Sequence, residues 1–410
     1  MAYFDEFRSG WRPLAGALIG LGSGFSITTY ITSIMAPHLL AEFGWTRSEF
    51  ALVSTLSLVM VMFLPLAGRF ADLMGVRRTV LIGMVTLPIV FMAYSMMSGG
   101  IGAYIGIFLV QAMICVTTTS TVYSRVVVER FVGARGLALA LVASGPAITG
   151  AIGGPLLNNF VEAYGWRAGY QALAAFSVVA SVVTLMLLPP RKPAATPDRS
   201  PPARKAKRDY AAISRHPAFW VMIVGLLLVN LPQVLALSQL NLVMLDNGIT
   251  PAGTSIMISA FAIGVLFGRF LCGLALDRFP AHLVAAIGLG MPSIGLFLIA
   301  SNLDAPMVLT VAVLLIGLSH GAEGDVVGYL VARTFGVGVY SSVLGLMTAA
   351  ISTSAALGAA VLSLTLKMTG GFSVFLIIGG VSVLIGSLLF LLLKHRGGPE
   401  HALAEAPATA

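Results

Sequence analysis

The chain has 410 residues, of which 58% are hydrophobic and only 10% are charged. Soluble domains carry about 25% charged residues, so a chain this apolar is expected to have lipid around most of its surface. The net charge of +8 does not indicate nucleic-acid binding, because the basic residues lie in short loops and no basic patch alternates with aromatic residues.

Apolar runs long enough to cross a bilayer recur along the whole chain, since a transmembrane helix needs about 20 mainly apolar residues. The first run follows Arg8 and Arg12 but is long enough to span, without a small-residue cleavage site, so we expect a retained helix rather than a signal peptide. The predicted spans are 14–36, 48–70, 79–98, 101–125, 136–160, 168–189, 216–242, 252–276, 281–301, 305–332, 339–366 and 371–394.

A segment of different character separates the sixth predicted span from the seventh. It is basic, rich in proline and without apolar periodicity, which predicts a flexible, solvated linker. The predicted domains are an N-terminal six-helix bundle, the linker, a C-terminal six-helix bundle and a cytoplasmic tail, with bounds 1–189, 190–215, 216–396 and 397–410.

The distribution of basic residues predicts the orientation in the membrane. With both termini inside, only Arg47, Arg167 and Lys367 of the 24 Lys and Arg residues fall in outer loops. Cytoplasmic loops of membrane proteins carry such an excess of positive charge. We therefore expect a multi-pass protein of the cell inner membrane with both termini in the cytoplasm.

The two halves of the chain repeat each other. Gly68-x-x-x-Asp72 follows the second predicted span, and Gly273-x-x-x-Asp277-Arg278 follows the eighth, 205 residues later. A second matching pair follows spans four and ten at an offset of 203: Arg130-Phe131-Val132-Gly133 and Arg333-Thr334-Phe335-Gly336. Parallel repeats are a known plan of transporters. The pattern predicts an all-α membrane protein with twelve transmembrane helices in two pseudo-symmetric six-helix bundles.

The loop after the second span resembles the loop 2–3 signature of the major facilitator superfamily, with Gly68, Asp72, Gly75, Arg77 and Arg78 all in place. Gly68 permits close approach of two helices, and Asp72 can pair with arginines and accept N–H groups at a helix end. The resemblance implies a gating motif made of Gly68, Asp72, Arg77 and Arg78, with Asp277 and Arg278 as its second half. The alternative is a basic turn that only sets topology.

Two further stretches resemble the monocarboxylate-transporter branch of that superfamily, with its bacterial lactate and oxalate/formate relatives. They are Arg130 to Gly145 and Gly268 to Arg278. In that branch, the arginine four residues before the glycine matching Gly273 binds the substrate carboxylate, which implies this role for Arg269. An arginine inside a span is costly and marks a functional site, and its fork matches a carboxylate. The alternative is an arginine that reaches the interface or pairs with Asp277.

The tenth span carries His320, Glu323 and Asp325. His320 and Glu323 are three residues apart and share a helix face, whereas Asp325 points elsewhere. Ionisable groups inside a membrane often form proton relays. We predict that Glu323 or Asp325 couples proton movement to transport, with His320 as a relay. The alternative is an internal ion pair between one of these carboxylates and Arg269 or Arg333.

Polar residues in spans one, seven and eleven are candidates for the substrate cavity, which these spans face in the superfamily that the chain resembles. The predicted substrate contacts beside Arg269 are Tyr30, Asn230, Gln233 and Ser352. The Tyr30 hydroxyl can donate to a carboxylate. Taken singly, such residues more often make interhelical hydrogen bonds.

The chain also departs from the transporters that it resembles. Animal monocarboxylate transporters have a lysine in span one, and oxalate/formate exchangers have one in span eleven. This chain has neither lysine. Because Arg269 is then the only well-placed cation, we predict transport of a small organic monocarboxylate by alternating access. Proton symport is the expected coupling, and plain uniport is an open alternative. The alternatives are organic anion exchange and proton-driven efflux of drugs or amphipathic compounds, although the glycine-rich stretch from Gly145 to Pro155 lacks the efflux spacing.

The sequence offers no arrangement typical of an enzyme. Cys115 and Cys272 lie alone, the six His residues are scattered, and no nucleotide-binding motif is present. We therefore expect no catalytic residues, no metal and no cofactor. The expected partners are the small carboxylate, protons and the lipid bilayer, with no nucleic acid, and the expected functional state is a monomer.

Overall fold

The computed structural model describes residues 3–45, 58–189, 206–301 and 305–395. These residues form sixteen α-helices with short connections. They are α1 (Tyr3–Gly22), α2 (Thr28–Phe43), α3 (Leu58–Met74), α4 (Val76–Ser95), α5 (Ile101–Ile114), α6 (Ser120–Val128), α7 (Arg135–Ala143), α8 (Gly145–Leu187), α9 (Ala206–Arg215), α10 (Pro217–Asn230), α11 (Leu240–Asp246), α12 (Pro251–Arg278), α13 (Ala281–Ala300), α14 (Pro306–Phe335), α15 (Tyr340–Thr369) and α16 (Ser373–Leu389). Short 3₁₀ or π segments join several of them at Phe25–Ile27, Cys115–Thr118, Leu235–Gln239 and Val337–Val339, and a further one, Phe390–His395, follows α16.

Each of the twelve predicted spans overlaps one or more of these helices. Eight helical stretches of the described residues are long and apolar enough to cross a membrane. One of them contains the fifth and sixth predicted spans, which α8 joins across a break at Gly165, where φ is 83°. The first, second and seventh predicted spans correspond to shorter or interrupted helices. Residues 46–57, with Arg47 and the start of the second span, lie outside the described residues.

The predicted linker is helical in its last part. Ala206–Arg215 forms α9, where we expected a flexible segment. The side chain of Ile213 is buried, and Trp220 Nε1 donates a hydrogen bond of 2.8 Å to the carbonyl oxygen of Ser214. These contacts fix a helix that composition alone does not indicate. Residues 190–205 of the linker and the predicted tail lie outside the described residues.

The helices form two compact units that differ from the predicted bundles at two helix starts. Unit 1 comprises Met1–Gly133, Leu141–Pro202 and Val337–Leu346, and unit 2 comprises Ala134–Ala140, Ala203–Gly336 and Met347–Ala410. The first turns of α15 thus belong to unit 1, and the first turns of α7 belong to unit 2. Each unit therefore holds the beginning of a helix from the other half of the sequence.

Each unit has its own apolar core. In unit 1 the core contains Met35, Phe91, Tyr94 and Tyr170, and the hydroxyl of Tyr94 donates to Gln111 Oε1 at 3.2 Å. The core of unit 2 lies among α11 to α14, the second part of α15 and α16, around Val243, Met244, Leu309, Phe375 and Val383.

Candidate functional site

Close packing between α12 and α14 positions Arg269 in unit 2. A Cβ atom on Gly268 would lie 2.0 Å from the carbonyl oxygen of Leu318, and one on Gly321 would lie 2.0 Å from that of Val265. Only glycine fits at these two positions, and small residues of this kind let transmembrane helices approach closely. Arg269 consequently lies against the turn of α14 that carries the three predicted coupling residues.

Arg269 is half-buried and acts electrostatically on two residues of α14, Asp325 and His320. Asp325 is 2% exposed, and its Oδ2 atom has no hydrogen-bond partner among the described residues. Removing a charge from water is costly unless an opposite charge compensates for it. Arg269 therefore acts on Asp325 as a nearby cation, without a direct ion pair between the two side chains.

Glu323 lies on another side of α14 and lines a small cavity. The cavity has a volume of about 50 Å³, and Asn230, Gln233, Ser319 and His320 also line it. Glu323 is hydrogen-bonded to Asn230, and its Oε1 atom has no partner among the residues that the structure describes. A water needs about 10–15 Å³ of such volume, so the space suits a few waters beside the carboxyl group.

His320 connects the two sides of this arrangement. Its Nδ1 atom lies 3.5 Å from Gln233 Nε2 in the cavity, and its ring lies 5.8 Å from the ring of Phe261 on α12. Arg269 acts on the same imidazole. His320 and Glu323 thus line one cavity, whereas Asp325 faces α12.

The cavity owes its shape to an interruption of the predicted seventh span. Pro232 has no N–H group to donate to the carbonyl of Leu228, and a π-helical turn follows at Leu235–Gln239. Ser382 Oγ donates to the freed carbonyl of Leu228 at 2.7 Å, and Ser354 Oγ donates to the neighbouring carbonyl of Leu227. Irregular backbone at membrane depth is tolerated when protein groups satisfy it in this way.

The other predicted substrate contacts are not all brought together. Ser352 donates to the carbonyl of Thr348 in its own helix at 3.1 Å. Tyr30 belongs to unit 1, where its side chain is 43% exposed and packs against Gly150. It lines a mainly apolar cavity of about 490 Å³ between α2 and α8. Asn230 and Gln233 are the predicted contacts that lie beside the α14 residues.

Asp72 of the predicted gating motif caps the start of α15 within unit 1. It accepts hydrogen bonds from the N–H groups of Ser341 at 3.1 Å and Ser342 at 2.8 Å, and from the Ser342 hydroxyl at 2.6 Å. It also forms an ion pair with Arg125. A Cβ atom on Gly68 would lie 2.0 Å from the carbonyl oxygen of Ser341, so glycine is required for this approach.

Asp277 caps the start of α7 within unit 2 in the same manner. Its carboxylate accepts the N–H groups of Gly136 at 2.6 Å and Leu137 at 3.1 Å. A Cβ atom on Gly136 would lie 2.2 Å from the carbonyl oxygen of Gly273. The other cations of the motif, Arg77, Arg78 and Arg278, are exposed.

Sequence reasoning missed three of these contributors: Arg125, Ser341 and Ser342. Arg125 carries a signal that was available, since it is an arginine inside the fourth predicted span and lies four residues before Glu129, with which it pairs at 2.7 Å. The two serines carry no such signal, because they act mainly through backbone N–H groups. Within the described ranges, no three His, Cys, Asp or Glu residues are grouped to hold a metal ion.

Comparison of the sequence with known proteins identifies the family to which the chain belongs. The model of the Major Facilitator Superfamily matches residues 16–244 and 231–409. Human monocarboxylate transporter 11 is 26% identical over 400 residues, which cover 93% of this chain and 82% of that protein. The chloramphenicol resistance protein of Streptomyces lividans is 28% identical over 247 residues, 58% of this chain and 59% of that protein.

The fold also matches solved structures. The crystal structure of the human organic anion transporter MFSD10 superposes with a TM-score of 0.72 over 93% of this chain and 99% of that chain. Sequence identity between the two is 14%, so the likeness concerns the fold alone.

Proposed function

The chain belongs to the Major Facilitator Superfamily, and we propose that this multi-pass membrane transporter moves a small organic monocarboxylate by alternating access with proton symport. Its similarity to monocarboxylate transporters over most of its length supports this substrate class. Membership of a transporter family also agrees with the expectation that the chain is not an enzyme. The inner-membrane location, the cytoplasmic termini and the functional monomer remain predictions.

The observation that carries the proposal is the placement of Arg269 against α14. Its guanidinium is the cation that acts on both Asp325 and His320. A guanidinium binds a carboxylate through two parallel hydrogen bonds, and one cation suits one negative charge. A monocarboxylate is therefore the substrate class that this site fits.

Competition between two carboxylates for Arg269 supplies a mechanism for coupling. When the substrate carboxylate binds the guanidinium, the charge of Arg269 no longer compensates the buried carboxylate of Asp325. A buried carboxylate without a partner takes up a proton. One substrate anion and one proton then occupy the protein together, which is symport without net charge movement.

Glu323 has a different part in this proposal. It faces the cavity with Asn230, Gln233 and His320, where waters can carry a proton between the carboxyl group and the imidazole. We assign Asp325 as the carboxyl group that takes up a proton when the substrate binds Arg269. Glu323 is assigned as a carboxyl group that holds a proton beside His320.

Counterflow in proteoliposomes with a panel of labelled monocarboxylic acids tests the proposal. We expect Arg269→Ala to lower carboxylate counterflow by about 10- to 100-fold, because hydrogen bonds to charged groups contribute about 1.5–3 kcal/mol. Lys367→Ala removes an exposed cation at the end of α15 and is the matched control. Full counterflow in Arg269→Ala would refute the assignment of the carboxylate site.

Proton coupling is tested in the same vesicles. Substrate entry should carry protons into the lumen in the wild type, and Asp325→Asn should transport without this acidification. If the transport rate does not depend on an imposed pH gradient and no protons enter with the substrate, symport is refuted. The assignment of the carboxylate site would not be affected by that result.

Efflux is the second candidate function. Similarity to the Streptomyces lividans chloramphenicol resistance protein favours it, and the apolar cavity of about 490 Å³ beside Tyr30 has room for an amphipathic compound. Chloramphenicol in the same counterflow panel decides between the two, since a carboxylate transporter should leave this neutral compound unmoved.

A further inference from the structure

A cationic cavity in unit 1 includes Asp72, Arg77 and Arg78 of the predicted gating motif but takes no part in the substrate and proton binding proposed above. It lies between the loop that joins α3 to α4 and the ends of α6 and α8, and its volume is about 670 Å³. Four arginines and two carboxylates line it: Arg77, Arg78, Arg125, Arg130, Asp72 and Glu129. The lining therefore carries a net charge of +2.

The arginines of this cavity divide into engaged and available groups. Arg125 is buried and paired with both Asp72 and Glu129. Arg77, Arg78 and Arg130 are exposed, and their guanidinium groups have no hydrogen bond or ion pair with any described residue. The available charge that lines the cavity is thus wholly positive.

The backbone adds to this positive potential. α4 begins after Gly75, whose φ is 84°, and no side chain caps the first turn of this helix. Arg77 and Arg78 belong to that turn. The free N–H groups at a helix start attract anions, so the side chains and the backbone favour the same kind of ligand.

The other wall of the cavity is apolar and continues along the outside of the bundle. Leu81, Leu185 and Leu188 line the cavity. One and two turns further along α4, Val85 and Ile89 are exposed, and the neighbouring α8 exposes apolar side chains at similar depth: Val178, Val179, Val182 and Met186. Exposed apolar surface on transmembrane helices faces lipid chains.

We propose that this cavity binds the headgroup of an anionic phospholipid. The phosphate lies on Arg77, Arg78 and Arg130, and an acyl chain runs along the apolar groove between α4 and α8. Basic pockets between transmembrane helices recognise such headgroups. A free phosphate is also an anion, but it has no apolar part to contact the apolar wall. The lining therefore favours the lipid. The inference is independent of the proposed function.

Native mass spectrometry of the full-length protein tests the site. The purified wild type is mixed with dioleoylphosphatidylglycerol or dioleoylphosphatidylcholine, and the retained lipid is counted. We expect selective retention of the anionic lipid, with affinity falling about fivefold for each arginine removed in Arg77→Gln, Arg78→Gln and Arg130→Gln. Arg278→Gln, the matching loop arginine of unit 2, is the control and should retain the lipid fully.

Three outcomes would overturn the proposal: equal retention of both lipids by the wild type, undiminished retention of phosphatidylglycerol in the triple arginine variant, or displacement of phosphatidylglycerol by an equal concentration of inorganic phosphate. The last result would identify a free anion as the ligand. If the triple variant fails to fold, Arg130→Gln alone decides, because the exposed Arg130 side chain makes no hydrogen bond or ion pair with a described residue. Unchanged lipid affinity in that single variant refutes the site.

Discussion

Asp72 and Asp277 occupy the same position of a repeated loop, and each holds a helix start through two backbone N–H groups. Asp277 accepts two backbone N–H groups, from Gly136 and Leu137. Asp72 accepts two such groups and adds the hydroxyl of Ser342 and an ion pair with Arg125. The helix cap is thus common to both repeats, and in unit 1 a buried ion pair with Arg125 accompanies it. We expect the Asp72 contact to be the stronger of the two.

The largest effect is expected for Asp72→Asn. This change leaves Arg125, which is 8% exposed, with Glu129 as its remaining carboxylate partner. Removing one partner of a buried ion pair costs about 3–5 kcal/mol. The apparent unfolding midpoint of the protein in detergent should therefore fall clearly below that of the wild type.

Glu129→Gln is the control for this variant, since the Glu129 side chain is 40% exposed and its loss should matter less. A double variant that also replaces Arg125 by Met removes the unpaired charge and should recover part of the stability. Equal midpoints for Asp72→Asn and Glu129→Gln would contradict a dominant Asp72–Arg125 pair.

A smaller effect is expected for Asp277→Asn. The substitution keeps one acceptor oxygen for the start of α7 but removes the charge that strengthens both hydrogen bonds. A charged acceptor contributes about 1.5–3 kcal/mol, so the unfolding midpoint should fall by less than in Asp72→Asn. Measuring the two variants under identical conditions tests the comparison directly, and a larger drop for Asp277→Asn would reverse it.

Two neighbouring serines separate the hydroxyl contribution from the backbone contribution at Asp72. Ser342→Ala loses the 2.6 Å hydrogen bond to the carboxylate and should cost about 1 kcal/mol. Ser341→Ala is the matched control, because the buried Ser341 hydroxyl has no partner among the described residues and its removal should be neutral. A loss of stability in Ser341→Ala as large as in Ser342→Ala would show that the hydroxyl bond contributes nothing.

The sequence predicted the spans well because apolar runs report directly on the solvent around a helix. It did not predict where helices break: the Pro232 interruption with its π-helical turn depends on Ser354 and Ser382, which lie more than one hundred residues away. The helical end of the linker depends in the same way on Trp220, which follows it.

The site was predictable where a charge stands inside an apolar run, as Arg269, Glu323 and Asp325 do. The partner that each charged side chain faces was not predictable, because it depends on the glycine contacts between α12 and α14. The partners of Asp72 were hidden for a different reason. Ser341 and Ser342 bind Asp72 mainly through their backbone N–H groups. Every residue except proline has such a group, so no residue type marks these positions.

The smallest effect is expected for an exposed ion pair of unit 1, which contrasts with the buried Arg125–Asp72 pair. Glu42 lies beyond the predicted first span, accepts a hydrogen bond from Trp166 Nε1 and pairs with Arg167 at 2.5 Å. Donation by Trp166 and then Arg167 lowers the pKa of Glu42. A carboxyl whose pKa is lowered by folding stabilises the protein above its unfolded pKa, and this contribution is lost as the pH falls through the folded value.

Glu42→Gln should therefore lower the unfolding midpoint slightly at pH 7, because exposed pairs contribute little. In acid below the pKa of Glu42 the two proteins should unfold together, and a difference that persists there would assign the effect to packing around Trp166 rather than to charge.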